Sequence, residues 1–124
     1  MRMERSAQVD GPLIKGFSGG GFRIDDNVYA ALLLTPISAH GWKPPAITAL
    51  DAATLAPMLD ALERLPEFVL LGTGTVLRHP PRALVSGLAA RGIGVEAMDS
   101  RAAARAWGVL RQEGRWIVAA LFPL

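Results

Sequence analysis

The chain has 124 residues, of which 51% are hydrophobic and 19% are charged, and its formal net charge is +2. This composition excludes a disordered chain, and the length is sufficient for one domain with its own core. The sequence has no cysteine, which excludes disulfides, thiolate metal sites and a cysteine nucleophile and favours a cytoplasmic protein. The arginines are scattered, so the sequence does not predict nucleic-acid binding.

The two ends of the chain set the expected domain organisation. Residues 1–16 are polar and irregular, and we expect a partly ordered lead-in before a single domain over residues 17–124. Residues 1–16 also lack the apolar run of a signal peptide or membrane anchor. The longest apolar block, residues 116–124, is far shorter than the ~20 residues that a membrane helix needs. The sequence therefore does not predict an integral membrane protein.

The first third of the chain predicts an antiparallel β-hairpin. The two strands that we expect, and the turn between them, are residues 22–24, 28–34 and 25–27. Glycines 19–21 lack the Gly-Lys-Ser/Thr ending of a phosphate-binding loop, so they predict a flexible entry to the hairpin. A loop is expected over residues 37–45 and a short strand over residues 47–50.

Helices and strands alternate in the rest of the chain. The pattern predicts, in order, a helix capped by Asp51 or Thr54 and ending before Pro66, a strand over 67–71, a helix over 80–90, a strand over 93–98, a helix from Asp99 or Ser100 to Gln112, and a strand over 115–122. The inward-facing helix residues predicted by spacing are Leu55, Met58, Leu59, Leu62, Leu84, Val85, Leu88, Ala89, Ala103, Trp107 and Leu110. We place Pro57 in the first turn of its helix, where proline is tolerated. This order predicts a three-layer α/β domain with a mixed β-sheet, an N-terminal β-hairpin and three helices.

Right-handed crossovers would place the loops after Leu71 and Met98 at the same edge of the sheet. The candidate site residues at this edge are Gly72, Thr73, Gly74, Arg78, Glu96, Asp99 and Arg105. Backbone amides of a glycine turn and of a helix N-terminus attract anions, and the two arginines would add positive charge. Three interpretations remain open, namely a purely structural turn and helix cap, a small-molecule or anion pocket, and a protein-contact surface.

A catalytic site is poorly supported by the residues. The sequence has no Gly-x-Ser-x-Gly motif and no pair of histidines at metal-binding spacing, and only His40 and His79 could serve as an acid or base near neutral pH. We therefore predict no catalytic residue, no metal and no cofactor. The sequence leans towards a protein that is not an enzyme, and this point stays open.

Several short motifs in the second half are shared with a known family. They are residues 70–74, Arg78 with Pro80, residues 92–99, 103–105, 109–110, and 113–115 leading into 118–121. With them the chain resembles a family of small proteins that includes the mitochondrial respiratory complex I assembly factor 3 and the adipogenesis-associated domain proteins. The family commonly has Thr-Tyr-Asn where this chain has Ala106, Trp107 and Gly108, so a ligand held by those groups would be lost or altered here.

The resemblance implies a three-layer α/β domain with a mixed sheet and no established enzymatic activity. It also implies a role through protein contacts, since the mitochondrial members act in this way during assembly of a membrane complex. Our leading hypothesis is a non-enzymatic domain that acts through protein interaction, as an assembly accessory of a membrane or respiratory complex. The alternative is a small-molecule or anion-binding protein, or an enzyme, with its pocket at the loop of residues 72–74. A homodimer through exposed strand edges is a third hypothesis.

Overall fold

The structure is a computed structural model that describes residues 10–124. The strands are β1 Gly16–Ser18, β2 Gly21–Ile24, β3 Asn27–Tyr29, β4 Leu32–Leu34, β5 Ala39–Gly41, β6 Phe68–Gly72, β7 Gly94–Met98 and β8 Val118–Leu121. The α-helices are α1 Ala52–Asp60, α2 Arg82–Ala89 and α3 Ser100–Gln112, and a short 3-10 helix covers Ile47–Ala49. Within the described residues, no helix has both the length and the apolar character required to cross a membrane.

The main sheet has five strands in the order β5-β4-β8-β6-β7. Strand β6 lies at its centre in parallel pairing with β7 and β8, whereas β4 pairs antiparallel with β8 and β5. Strands β1, β2 and β3 form a separate antiparallel sheet. The predicted mixed sheet is therefore confirmed, together with an antiparallel N-terminal hairpin.

Two apolar clusters cover the two faces of the main sheet. Val69 and Leu71 pack on one face with residues of α1 and α2. Leu70 packs on the other face with residues of α3 and of the small sheet. Successive residues of β6 thus serve opposite clusters, because side chains alternate along a strand. This arrangement confirms the predicted three-layer α/β domain.

Side-chain caps begin two of the three helices. The Asp51 carboxylate accepts a hydrogen bond from the Thr54 amide at 3.0 Å at the start of α1. The Asp99 carboxylate accepts one from the Ala102 amide at 2.9 Å at the start of α3. Each cap satisfies an amide that has no partner inside its own helix, so both helices begin where the sequence predicts.

The predicted strand over residues 28–34 is wrong, because the chain divides it between two sheets. The turn after Ile24 is present, and β3 pairs with β2 as expected. A bend at Ala30 and Ala31 then carries the chain from the small sheet to the main sheet, where β4 is buried between β5 and β8. The apolar run hides this bend, because it continues without a break from the largely exposed β3 into the buried β4.

Two connecting segments also differ from the prediction. The expected loop over residues 37–45 contains β5, which pairs with β4 at the edge of the main sheet. The expected strand over residues 47–50 is instead the 3-10 turn, in which the Ala49 amide donates to the Ala46 carbonyl at 2.8 Å. Only Leu50 of this segment is buried, so a single side chain of the segment packs in the core.

The helices and the last strand need smaller corrections. Pro57 is the sixth residue of α1 and not part of its first turn. Val85 and Ala89 of α2 are exposed, whereas Leu84 and Leu88 are buried as predicted. Strand β8 is shorter than the predicted strand over residues 115–122. Spacing along a helix finds the centre of its buried face better than the margins.

The lead-in lies only partly within the described residues, since residues 1–9 fall outside them. The Pro12 carbonyl accepts a hydrogen bond from the buried Trp107 indole at 2.9 Å. The Asp10 carbonyl accepts one from the Arg111 guanidinium at 3.3 Å. Both donors belong to α3, which therefore holds the segment that precedes β1. Trp107 is completely buried and belongs to the core.

Candidate functional site

The loops that follow β6 and β7 lie side by side at one edge of the main sheet. The Thr73 amide donates to the Met98 carbonyl at 2.9 Å, and the Ser100 amide donates to the Gly74 carbonyl at 2.8 Å. These bonds continue the parallel pairing of the two strands by two residues. The structure therefore brings together the glycine turn and the start of α3.

Ser100 joins three segments at this edge, and it is completely buried. Its hydroxyl donates to the Phe122 carbonyl at 2.7 Å and accepts from the Gly74 amide at 2.8 Å. A methyl group on Gly72 would lie only 2.8 Å from the same hydroxyl, so only glycine fits there without a shift. The sequence suggests Ser100 only as an alternative helix cap, because the three segments that it joins meet only in the folded chain.

Thr73 fixes the shape of the β6–α2 loop, which we define as residues 73–81. Thr73 is buried, and its hydroxyl donates to the Val76 carbonyl at 2.7 Å. The same oxygen accepts a hydrogen bond from the Arg78 amide at 3.0 Å. The buried threonine thus holds both sides of an exposed turn, and residues 75–79 are all exposed.

Two of the amides that would attract an anion are already bonded within the protein. The Gly74 amide donates to Ser100, and the Ala102 amide in the first turn of α3 donates to Asp99. Asp99 also places a carboxylate at the helix terminus, where it interacts favourably with the helix dipole and repels a second anion. The geometry of these residues is that of a tight turn and a capped helix.

A shallow cavity of about 320 Å³ lies beside the glycine turn. Its walls are formed by Ile47, Thr73, Gly74, Thr75, Arg78, Phe122, Pro123 and Leu124. A smaller hollow of about 100 Å³ shares part of this wall and adds Asp99 and Arg101, and no motif in the sequence points to Arg101. Within residues 10–124, Arg78 forms no ion pair.

Glu96 and Arg105 lie elsewhere, so the structure does not bring all seven candidate residues together. Glu96 is exposed on the edge strand β7, in register with Leu70. Arg105 lines a separate hollow of about 200 Å³ with Lys15 and Phe17. Neither residue borders the cavity beside the glycine turn. The residues that share this edge of the sheet are Gly72, Thr73, Gly74, Arg78 and Asp99.

The described part of the chain has no cluster of three or more histidine or carboxylate side chains placed to hold a metal ion. The two histidines are far apart in the fold, since His40 lies in β5 and His79 lies in the β6–α2 loop. No nucleophile and base are paired among the hydrogen bonds of the site, where Thr73 and Ser100 both bond to backbone atoms. Both hydroxyls therefore hold the backbone of the adjoining segments in place.

Comparisons with known proteins agree with this fold. The sequence profile described as "Protein of unknown function (DUF498/DUF598)" matches residues 14–122. An uncharacterised protein of Rhodobacter capsulatus is 35% identical over 112 residues, which cover 90% of this chain and 84% of that protein. The crystal structure of a Bordetella parapertussis protein is similar with a TM-score of 0.81 and 29% identity, over 94% of this chain and 98% of that chain.

Two further solved structures have a TM-score of 0.75 and 27% identity to this chain. One is a Bordetella pertussis protein described as a Mth938-like domain, and the similarity covers 90% of this chain and 85% of that chain. The other is from Bartonella henselae and is described as an outer membrane protein, with coverage of 93% and 96%. The profile match spans nearly the whole described chain, and the chain therefore belongs to the DUF498/DUF598 family of proteins of unknown function.

Proposed function

We propose that this protein is a non-enzymatic domain that acts through protein contacts, with the β6–α2 loop as its contact surface. The observation that carries the proposal is the exposure of two neighbouring apolar side chains in this loop. Val76 is 57% exposed and Leu77 is 63% exposed. A single exposed apolar residue is common, but two in succession on a loop held by a buried side chain are typical of a binding surface.

The hydrogen bonds of Thr73 support this proposal because they fix the loop before any partner binds. The threonine hydroxyl bonds to the backbone of Val76 and of Arg78, on both sides of Leu77. A loop that is already ordered loses little conformational entropy on binding, so more of the contact energy remains as affinity. The loop therefore presents its apolar side chains at low entropic cost.

The neighbouring residues supply the polar margin that such a surface needs. Arg78 and His79 are exposed directly beside Leu77, and Pro80 and Pro81 stiffen the return to α2. Protein interfaces combine a small apolar centre with a polar rim in which arginine is enriched. The chain also resembles a family that includes the mitochondrial respiratory complex I assembly factor 3. In its specific form, the proposed role is therefore in the assembly of a membrane complex.

Site-specific photo-crosslinking in the native cell tests the contact surface. A photoreactive amino acid at position 77 should yield a discrete crosslinked protein, whereas the same group at position 109 should not. Val109 is the matched control because it is also exposed and apolar, at 59% exposure, but lies on α3. Equal products from both positions, or none from position 77, would contradict the proposal.

Substitution tests the same surface without a crosslinker. The double variant Val76→Ser, Leu77→Ser should lose the crosslinked partner when the photoreactive group is placed at position 79. Both side chains are exposed, so the free energy of unfolding should change by less than about 0.5 kcal/mol per site. Retention of the partner by this folded variant would exclude the two side chains from the interface.

A second candidate function is binding of a small molecule or anion in the cavity beside the glycine turn. Arg78 favours it, because this guanidinium lines the cavity and has no ion-pair partner in the described residues. Thermal unfolding with inorganic phosphate, nucleotides and dicarboxylates is the test. Stabilisation that disappears in Arg78→Met would support this function, and an unchanged melting temperature with all three classes would argue against it.

A further inference from the structure

The two outermost strands of the main sheet, β7 and β5, differ in the residues that they expose. Strand β7 carries the exposed carboxylate of Glu96 at one edge. Strand β5 forms the other edge with the sequence Ala-His-Gly, and it carries neither a carboxylate nor a lysine. Charged residues on an edge strand oppose the pairing of a further strand. The β7 edge is thus protected by charge, and the β5 edge is not.

The pairing of β5 with β4 leaves main-chain groups of β5 without a partner. The Thr35 amide donates to the Ser38 carbonyl, and the Trp42 amide donates to the Ala31 carbonyl. Since bonded pairs alternate in an antiparallel ladder, the groups of His40 face β4 and those of Ala39 and Gly41 face away from the sheet. Ala39 and Gly41 have no hydrogen-bond partner on that side within residues 10–124.

An apolar groove of about 280 Å³ lies directly beside this edge, between β5 and α1. Its apolar wall consists of Leu33, Ile37, Pro57, Met58, Ala61 and Leu62. Ile37 is 65% exposed, so an apolar side chain at the rim remains in water. The hydroxyls of Thr35 and Ser38, which also line the groove, lie 2.9 Å apart in a mutual hydrogen bond. The groove therefore favours an apolar side chain, and His40 is the remaining polar side chain in its wall.

We propose that β5 accepts an extended peptide segment of a partner protein as an additional strand, with an apolar side chain of that segment in the groove. Main-chain hydrogen bonds to Ala39 and Gly41 would align the segment. His40 and Leu33 form a register pair, and both lie on the α1 side of the sheet. Alternate side chains of an added strand project to that same side, so one or two residues on this face of the segment would reach the groove.

The size of the surface favours a short segment over a second copy of the whole domain. Strand β5 has three residues, and its groove is the size of one or two large side chains. Stable pairs of folded domains bury about 800 Å² and roughly 20–30 residues on each partner. The strand and the groove together comprise only eleven residues. An extended peptide needs only the strand edge and the pocket beside it.

This surface is separate from the β6–α2 loop. Strand β4 ends at Leu34, which pairs with Ala119 at the start of β8, whereas the loop follows Gly72, which pairs with Leu121 at the end of β8. The groove lies beside the end of β4 and the C-terminal half of α1. The inference therefore does not depend on the proposed role of the loop, and variants of one surface leave the other intact.

Selection from a phage-displayed library of random peptides of roughly nine residues tests the inference. The bait is the full chain, with counter-selection against Ala61→Phe, in which the larger side chain fills the groove. Enriched peptides should carry apolar residues at alternate positions. Their binding should slow hydrogen exchange at the Ala39 and Gly41 amides. The Ala61→Phe substitution should raise the dissociation constant of the peptides by about tenfold or more.

Ala53→Phe is the matched control, because Ala53 is also exposed but lies near the start of α1 and does not line the groove. Its affinity for the selected peptides should equal that of the native chain. The inference would be overturned if no peptide from the library bound the native chain more tightly than it bound the Ala61→Phe variant. Peptides that bind without protecting Ala39 and Gly41 would also overturn it. A dimer in which these two amides are protected without peptide would assign the edge to a second copy instead.

Discussion

The Cβ position of Gly72 lies 2.8 Å from the hydroxyl of Ser100, closer than real Cβ atoms approach a neighbouring oxygen. This contact holds the end of the central strand against the first residue of α3. It leaves room for a hydrogen atom but not for a methyl group. The turn that resembles a ligand-binding loop in sequence is therefore, at Gly72, a close packing contact between two elements.

Gly72→Ala is expected to destabilise the fold by about 1–3 kcal/mol, because the added methyl group overpacks a buried contact with Ser100 and Leu121. Urea unfolding measures this change. Gly108→Ala is the control, since Gly108 lies inside α3 with no atom within 4 Å of its Cβ position. That variant should gain about 0.5–1 kcal/mol from helix propensity. A neutral Gly72→Ala would show that the contact is loose.

Ser100→Ala is expected to cost about 1–3 kcal/mol, because it leaves the Gly74 amide and the Phe122 carbonyl without their partner in a buried position. Thermal unfolding provides the measurement, and amide exchange at Gly74 should accelerate. Ser86→Ala offers the comparison, since Ser86 is exposed on α2 and should change the stability little. Equal stabilities of the two variants would contradict the joining role of Ser100.

The ion pair between Glu67 and Arg115 makes the stability depend on pH. The hydrogen bond from Arg115, at 2.9 Å, lowers the pKa of Glu67 below its ordinary value of 4.5. Because the folded state favours the ionised carboxylate, its stabilising effect is complete above that ordinary value and is lost as pH falls through the lower folded pKa. Glu67→Gln should therefore be less stable than the native chain near neutral pH, and the difference should vanish in acid.

Urea unfolding of both chains at several pH values measures this dependence. Glu63→Gln serves as the control, since Glu63 is exposed and forms no ion pair in the described residues, so loss of its charge should change the stability little near neutral pH. A constant difference for Glu67→Gln over the same range would mean that the pair with Arg115 contributes no net stability.

Arg111→Met is expected to cost about 1–3 kcal/mol, because Arg111 is buried and donates to the carbonyls of Asp10 and Arg115. Methionine keeps much of the apolar stem but has no donor. Limited proteolysis should then cut residues 10–15 faster, because α3 loses one of its two bonds to this segment. Gln112→Met, at an exposed position of the same helix, should leave both stability and cleavage unchanged.

Local patterns were sufficient for those elements whose cause is local. The apolar block at the centre of the sheet, bounded by Pro66 and a glycine turn, correctly predicts β6. Asp51 and Asp99 correctly predict the starts of α1 and α3, because a cap depends only on residues two or three positions away. The order of helices and strands then predicts a three-layer α/β domain with a mixed sheet.

The site could be predicted only in part, because its members come from distant segments. The crossover rule places the loops after β6 and β7 together, and the bonds between Thr73 and Met98 agree with it. The same rule does not show which side chains point to that edge. The prediction therefore includes Glu96 and Arg105, which do not line the cavity beside the glycine turn. The role of Ser100 depends on Phe122, which no local pattern connects to it.

By itself the sequence determined the α/β class, the buried central strand and the capped helices, since each follows from short-range periodicity and hydrogen bonding. Tertiary structure alone decided how residues 28–34 divide between two sheets, because β4 acquires its place by pairing with β8 at the far end of the chain. It also decided that Val76 and Leu77 stay exposed while Thr73 beside them is buried. Burial depends on which segments meet, and that is a property of the whole fold.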